Sequence, residues 1–190
     1  MVKALIAVLG LAFSLNAVAA PSAVEVLAQV QMPAIMDQAQ TMGLDWKVGD
    51  RADYSIDMGF IKGTMIMSVA SVGADGIWMN QDADLGFAGK QKIETLLDPN
   101  TGEIKKMLVN GKEQAPPKQD VEIIDIKEDR ITVPAGTFDC IHARLKNKED
   151  NSEINAWMNP QVVPMSGLLK QVAPSQFGNV TIALKSFKKN

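Results

Sequence analysis

The chain is poor in the residues that carry out chemistry. Among 190 residues there is one cysteine, Cys140, and one histidine, His142. A single thiol excludes an intramolecular disulfide. A single imidazole leaves no catalytic triad to assemble around Ser166, the serine that follows Pro164 and Met165. An excess of one charge is missing too. Nineteen Lys and Arg stand against 22 Asp and Glu, a net −3 with no long run of one sign. Nothing in that balance suggests a nucleic-acid surface, which needs a basic patch. There is no G-x-S-x-G, no H-E-x-x-H and no phosphate-cradling glycine loop. Internal repeats and low-complexity segments are absent. Beyond residue 20 no apolar run is long enough to span a bilayer as a helix.

What is present begins with a segment that reads as an export signal. Lys3 supplies a short positive region, Ala4 to Leu15 an apolar stretch, and Ala17-Val18-Ala19 an A-x-A cleavage site. The apolar stretch is shorter than the ~20 residues a membrane anchor needs. Cleavage is expected after Ala19, and no Cys stands there to carry a lipid. The expected organisation is a signal peptide at 1–19, a helical segment at 20–45 and a β-rich domain at 46–190. The mature protein, with 18 basic and 22 acidic residues once Lys3 is removed, is expected in the periplasm.

Pro21 to Met42 has helical spacing, with Ser22 as N-cap, Glu25 completing a capping box, and Gly43 as C-cap. Pro33 predicts a kink. From Trp46 the apolar period becomes two. Short runs recur about every ten residues between turn signals such as Gly59, Lys62-Gly63, Gly73-Ala74-Asp75-Gly76, Asp98-Pro99-Asn100-Thr101-Gly102 and Asn110-Gly111. Gln114 to Asp120, with Pro116-Pro117, reads as a polar loop crossing an edge of the sheet. Ile131 to Cys140 reads as strand, tight turn and strand, with Gly136 where a positive φ is needed. The fold class is mainly β (α+β). A strongly curved antiparallel meander, or half-barrel, of about ten strands is expected, with the N-terminal helix packed on it.

Few constellations suggest chemistry. Cys140 and His142 share a strand face, but side chains two apart lie ~7 Å from each other, too far for a direct bond. A buried Cys beside a half-buried His is the favoured reading. Of the 11 methionines, seven fall in the expected β-rich domain and are spread over its strands. They allow three readings: core filling, the lining of an adaptable apolar cavity, or a copper site. Asp82 and Asp84 share a face without forming a defensible catalytic pair, and Asp98 to Gly102 lacks the later acidic ligand of a calcium loop. The candidate ligand-binding residues are Met65, Met67, Met79, Trp78 and Trp157. No catalytic residue, metal ligand or cofactor is assigned.

Three motifs occur in order: Trp46-Lys47-Val48-Gly49-Asp50, then Val133-Pro134-Ala135-Gly136-Thr137-Phe138, then Trp157…Pro160…Pro164…Gly167-Leu168-Leu169-Lys170. Together they resemble bacterial envelope proteins of unknown function, the TapB-like group among them, over most of 46–187. That resemblance implies a curved antiparallel sheet wrapped on a helix, as in lipoprotein-carrier folds, and supplies no catalytic residues. The expected function is a non-enzymatic, monomeric periplasmic carrier for an apolar ligand such as a lipid or lipidated peptide. The alternative is an envelope assembly or protein-interaction module without a small ligand. A hydrolase or copper protein stands last.

Overall fold

The structure, a computed structural model, describes residues 45–116, 121–148, 150–175 and 178–190. The expected signal peptide and N-terminal helix lie outside the described residues. Eleven strands follow one another: β1 (Arg51–Met58), β2 (Ile61–Gly73), β3 (Gly76–Asp84), β4 (Lys90–Leu97), β5 (Ile104–Val109), β6 (Lys112–Gln114), β7 (Val121–Val133), β8 (Gly136–Asn147), β9 (Glu153–Met158), β10 (Leu168–Ser175) and β11 (Gly178–Lys188). Among the described residues the only helical turn is a 3-10 turn at Gly86–Ala88.

All eleven strands form one antiparallel sheet in the order β6-β5-β4-β3-β2-β1-β11-β10-β9-β8-β7. It is not the single meander expected. Two meanders, β1 to β6 and β7 to β11, meet at a β1–β11 seam. Consecutive strands β6 and β7 therefore lie on opposite edges, and the polar connector expected to cross one edge joins both. That connectivity demands curvature. Laid flat, ten interstrand spacings span roughly 48 Å. Gln114 and Val121 are seven peptide steps apart, a reach of at most about 25 Å.

The β7–β8 turn shows the same bend directly. The Ala135 N–H donates to the Leu184 carbonyl of β11 at 3.1 Å. Across a flat sheet β8 and β11 would be three spacings, about 14 Å, apart. Phe138 and Phe187 meet with ring centroids 6.3 Å apart.

Alternation assigns the faces. Leu184, Tyr54, Met65, Ala83 and Gln91 stand side by side from β11 to β4, all buried on the concave face. Trp157, Lys170, Ala183, Ser55, Thr64, Asp84 and Lys90 form the matching convex row. Most of the buried core lies on the concave side, including Ala52, Ile56, Met58, Ile77, Leu169 and Ile182, while Val133 and Cys140 join it from the other face near the β7–β8 turn.

The turn chemistry is mostly as expected. Asn110 and Gly111 both take positive φ, 51° and 78°, and close the β5–β6 hairpin. Pro134 and Ala135 form a two-residue connection, and Gly136 follows at φ 140°. Two readings change. Lys62-Gly63 is not a turn, because Gly63 lies inside β2, where an added Cβ would stand 2.5 Å from the Asp84 carbonyl oxygen. The glycine permits close backbone approach instead. Val121 to Lys127 and Arg130 to Val133, which the sequence reads as two separate runs, are one strand, β7, bulged between Ile123 and Asp125.

Candidate functional site

The five candidate residues separate onto two faces. Met65 and Met79 are buried on the concave face, and Met67 shares that face, partly buried against the core. Trp78 and Trp157 are half-buried on the convex face, five strands apart in the sheet. The three methionines thus come together and the tryptophans do not join them.

The concave face is the larger candidate surface. Its apolar character runs from the seam outward through Ala143, Ala156 and Leu145, all buried. At the β7–β8 lip it comes into solvent. Ile123, Ile126 and Ile141 are 40%, 40% and 44% exposed there, and Ile123 and Ile126 pair in register with Leu145 and Ala143 of the same face. Bulged Ile124 adds another exposed side chain. Four exposed aliphatic side chains are thus gathered along this lip of the sheet. Polar groups punctuate the apolar face: Gln81, Gln91, Thr95 and Gln171 are all buried. Both amide atoms of Gln91 lack a hydrogen-bond partner among the described residues.

The convex face carries a compact polar cluster over β7 to β10. His142 is paired in register with Trp157 and stacks on it, centroids 4.2 Å apart and planes 6° from parallel. The Trp157 indole N–H donates to Asp129 Oδ2 at 2.9 Å, reaching past β8 to β7. Lys170 of β10 holds its ammonium 5.4 Å from the Trp157 ring. His142 Nε2 lies 3.0 Å from Asn155 Oδ1, and Nδ1 lies 3.8 Å from Asp129 Oδ2. Arg144 grips Glu153 with two bonds of 2.8 and 3.0 Å. The indole N–H, followed by the Arg130 backbone N–H, holds the Asp129 carboxyl below its usual range.

Cys140 and His142 are both buried on this face, and each bonds elsewhere. The thiol donates to the Asp129 carbonyl at 3.4 Å, and burial pushes its pKa up. The His142 ring bonds Asn155 instead. Among the described residues no three His, Cys, Asp or Glu side chains gather as a metal site. The register that brings Asp129, Asn155 and Lys170 to His142 could not be counted from sequence, because it depends on pairing across four strands.

The three sequence motifs converge on the end of β11. Asp50, buried, accepts the Lys47 N–H at 2.9 Å and the Asn190 N–H at 2.8 Å. Ala135 bonds Leu184, and Phe138 meets Phe187. The carbonyls of Pro160 and Gln161 accept from Lys189 Nζ at 3.3 and 2.8 Å. The Pro160–Gly167 segment buries Val163 and Met165 beneath this junction. The motifs thus fasten the curved sheet where its two meanders meet.

The fold and surfaces define a class: an open, curved antiparallel β-sheet protein with an apolar concave face. No family model matches the chain. No curated protein matches it with significance. The resemblance to the TapB-like group therefore stands on the three motifs alone. Among solved structures, the chain is similar to a protein of YmcC-like fold, inferred to be exported, from Bacteroides fragilis. The two are 10% identical with a TM-score of 0.42, over 77% of this chain and 99% of that one. It is similar also to a protein inferred to be a lipoprotein from Parabacteroides distasonis, at 13% identity and TM-score 0.43, over 76% and 97%. Nothing about function follows from likenesses this faint. No described helix is long and apolar enough to cross a membrane.

Proposed function

We propose that this is a non-enzymatic binding or carrier-like protein of the cell envelope that holds an apolar ligand, such as an acyl chain or lipidated peptide, against its concave face. The observation that carries the reading is the continuity of that face. Buried Met65 and Met79 lie at one end and exposed Ile123, Ile126 and Ile141 at the other. Methionine side chains adapt to ligands of varied shape, which suits acyl chains. Export to the periplasm rests on the sequence of residues 1–20, and Cys140, the one cysteine, is far from the Ala19 cleavage site.

Titration with a fluorescent fatty-acid analogue tests the proposal. Saturable binding is expected, weakened at least fivefold by Ile126→Asp or Ile141→Asp. A probe that does not bind, or binds both variants as well as the parent, contradicts it. The second reading, an envelope assembly module, is favoured by the 13-residue strand β7, which among the described residues pairs on one side only.

A further inference from the structure

The strongest unassigned feature is the convex cluster around the one histidine, and it is independent of whether the concave face takes a ligand. His142 is only 8% exposed. Asn155 turns its amide oxygen, which can only accept, to the ring at 3.0 Å. That oxygen therefore accepts from Nε2–H. In the neutral ring Nδ1 is then a bare lone pair. It is buried, has no hydrogen-bond partner among the described residues, and lies 3.8 Å from the Asp129 carboxylate. Lone pair facing carboxylate is unfavourable. A proton on Nδ1 reverses the sign and makes a charge-assisted contact from β8 to β7.

We propose that His142 is a proton-operated latch: acidification charges the ring, joins it to Asp129, and pins edge strand β7, with its exposed isoleucines, more firmly to β8 and β9. The charges around the ring come from every neighbouring strand. Asp129 on β7 and Glu153 on β9 favour the imidazolium. Lys127, opposite His142 in register on β7, opposes it, as do Arg144 on β8 and Lys170 beyond the indole on β10. Cys140, on the same strand, bonds the Asp129 carbonyl and adds no charge while protonated. Asp129 is the pivot, because one carboxylate oxygen serves both the Trp157 N–H and the approach to Nδ1. Trp157, stacked on His142, is a built-in reporter, since an imidazolium in face contact quenches an indole more strongly than an imidazole does.

The test uses the mature chain with Trp46→Phe and Trp78→Phe, leaving Trp157 as the one tryptophan. Its fluorescence is expected to fall at least twofold on acidification, with the midpoint of the single histidine Hε1 resonance followed by NMR. Protection factors of β7 amides, corrected for intrinsic exchange, are expected to rise at least threefold over the same transition. His142→Gln should abolish both responses. Asp129→Asn should keep the quenching and lose the rise in protection, and it serves should His142→Gln fail to fold. Fluorescence and β7 protection that ignore the histidine titration, or respond equally in both variants, would overturn the proposal.

Discussion

Asp50 illustrates how single residues hold this sheet. Its buried carboxylate accepts two backbone N–H groups, one from Lys47 before β1 and one from Asn190 after β11. Its own N–H and C=O bond Lys47 and Val69. Bonds to a buried carboxylate are the stronger kind. Asp50→Ala is expected to destabilise the protein by about 2–4 kcal/mol, since it leaves two donors without their acceptor. Asp50→Asn should recover part of that, because one amide oxygen can still accept. Chemical denaturation measures both; an alanine variant as stable as the parent would show the clamp to be idle. Sequence reading saw Asp50 only as a letter in a motif. Its partner lies 140 positions away, and nothing local announces it.

At the scale of elements, local rules were readable and long-range register was not. Alternation around Tyr54, Ile56 and Met58, and the Asn110-Gly111 hairpin, follow from periodicity and from turn residues that tolerate positive φ. The methionines of β2 and β3 could be put on one face for the same reason. That Trp78 and Trp157 lie on the other face follows from the same alternation once the strands are paired. The β1–β11 seam was not legible, because pairing between residues 51–57 and 181–188 leaves no local mark.

The β4–β5 hairpin shows what its turn residues do. Asp98 Oδ1 accepts the N–H groups of Asn100 and Thr101 at 2.8 and 3.2 Å, and its other oxygen pairs with Lys105 at 2.8 Å. The Lys105 contact first, and the backbone N–H groups after it, hold its pKa down at about 2. A depressed carboxyl contributes stability above its unfolded pKa and loses it as pH falls through the folded value. Asp98→Asn should therefore lower Tm at neutral pH, with the difference from the parent shrinking between about pH 4 and pH 2. Thermal scans across that range check it; a constant difference would remove Asp98 from the acid limb.

At the scale of the whole molecule, the geometry is set by a connectivity that forces curvature and by three motifs that lock it. Edge strands β6 and β7 must approach because only seven peptide steps separate them, and the hairpin turn at Pro134-Ala135 folds back onto β11. Bending a sheet with one apolar face encloses that face. The buried core from Tyr54 to Leu169 is the enclosed part, and Ile126 and Ile141 mark where it opens. The convex side carries the polar residues, many in exposed ion pairs such as Lys90–Asp84 and Lys92–Glu94, which add little stability each. On the proposed reading, the ligand lies inside this curve. The most direct test is native mass spectrometry of the protein purified gently from its native cells. A mass above that of the polypeptide is expected, carried by a lipid or acylated species released on organic extraction; a ligand-free mass, together with failure to take up added fatty acid, would contradict the proposed function.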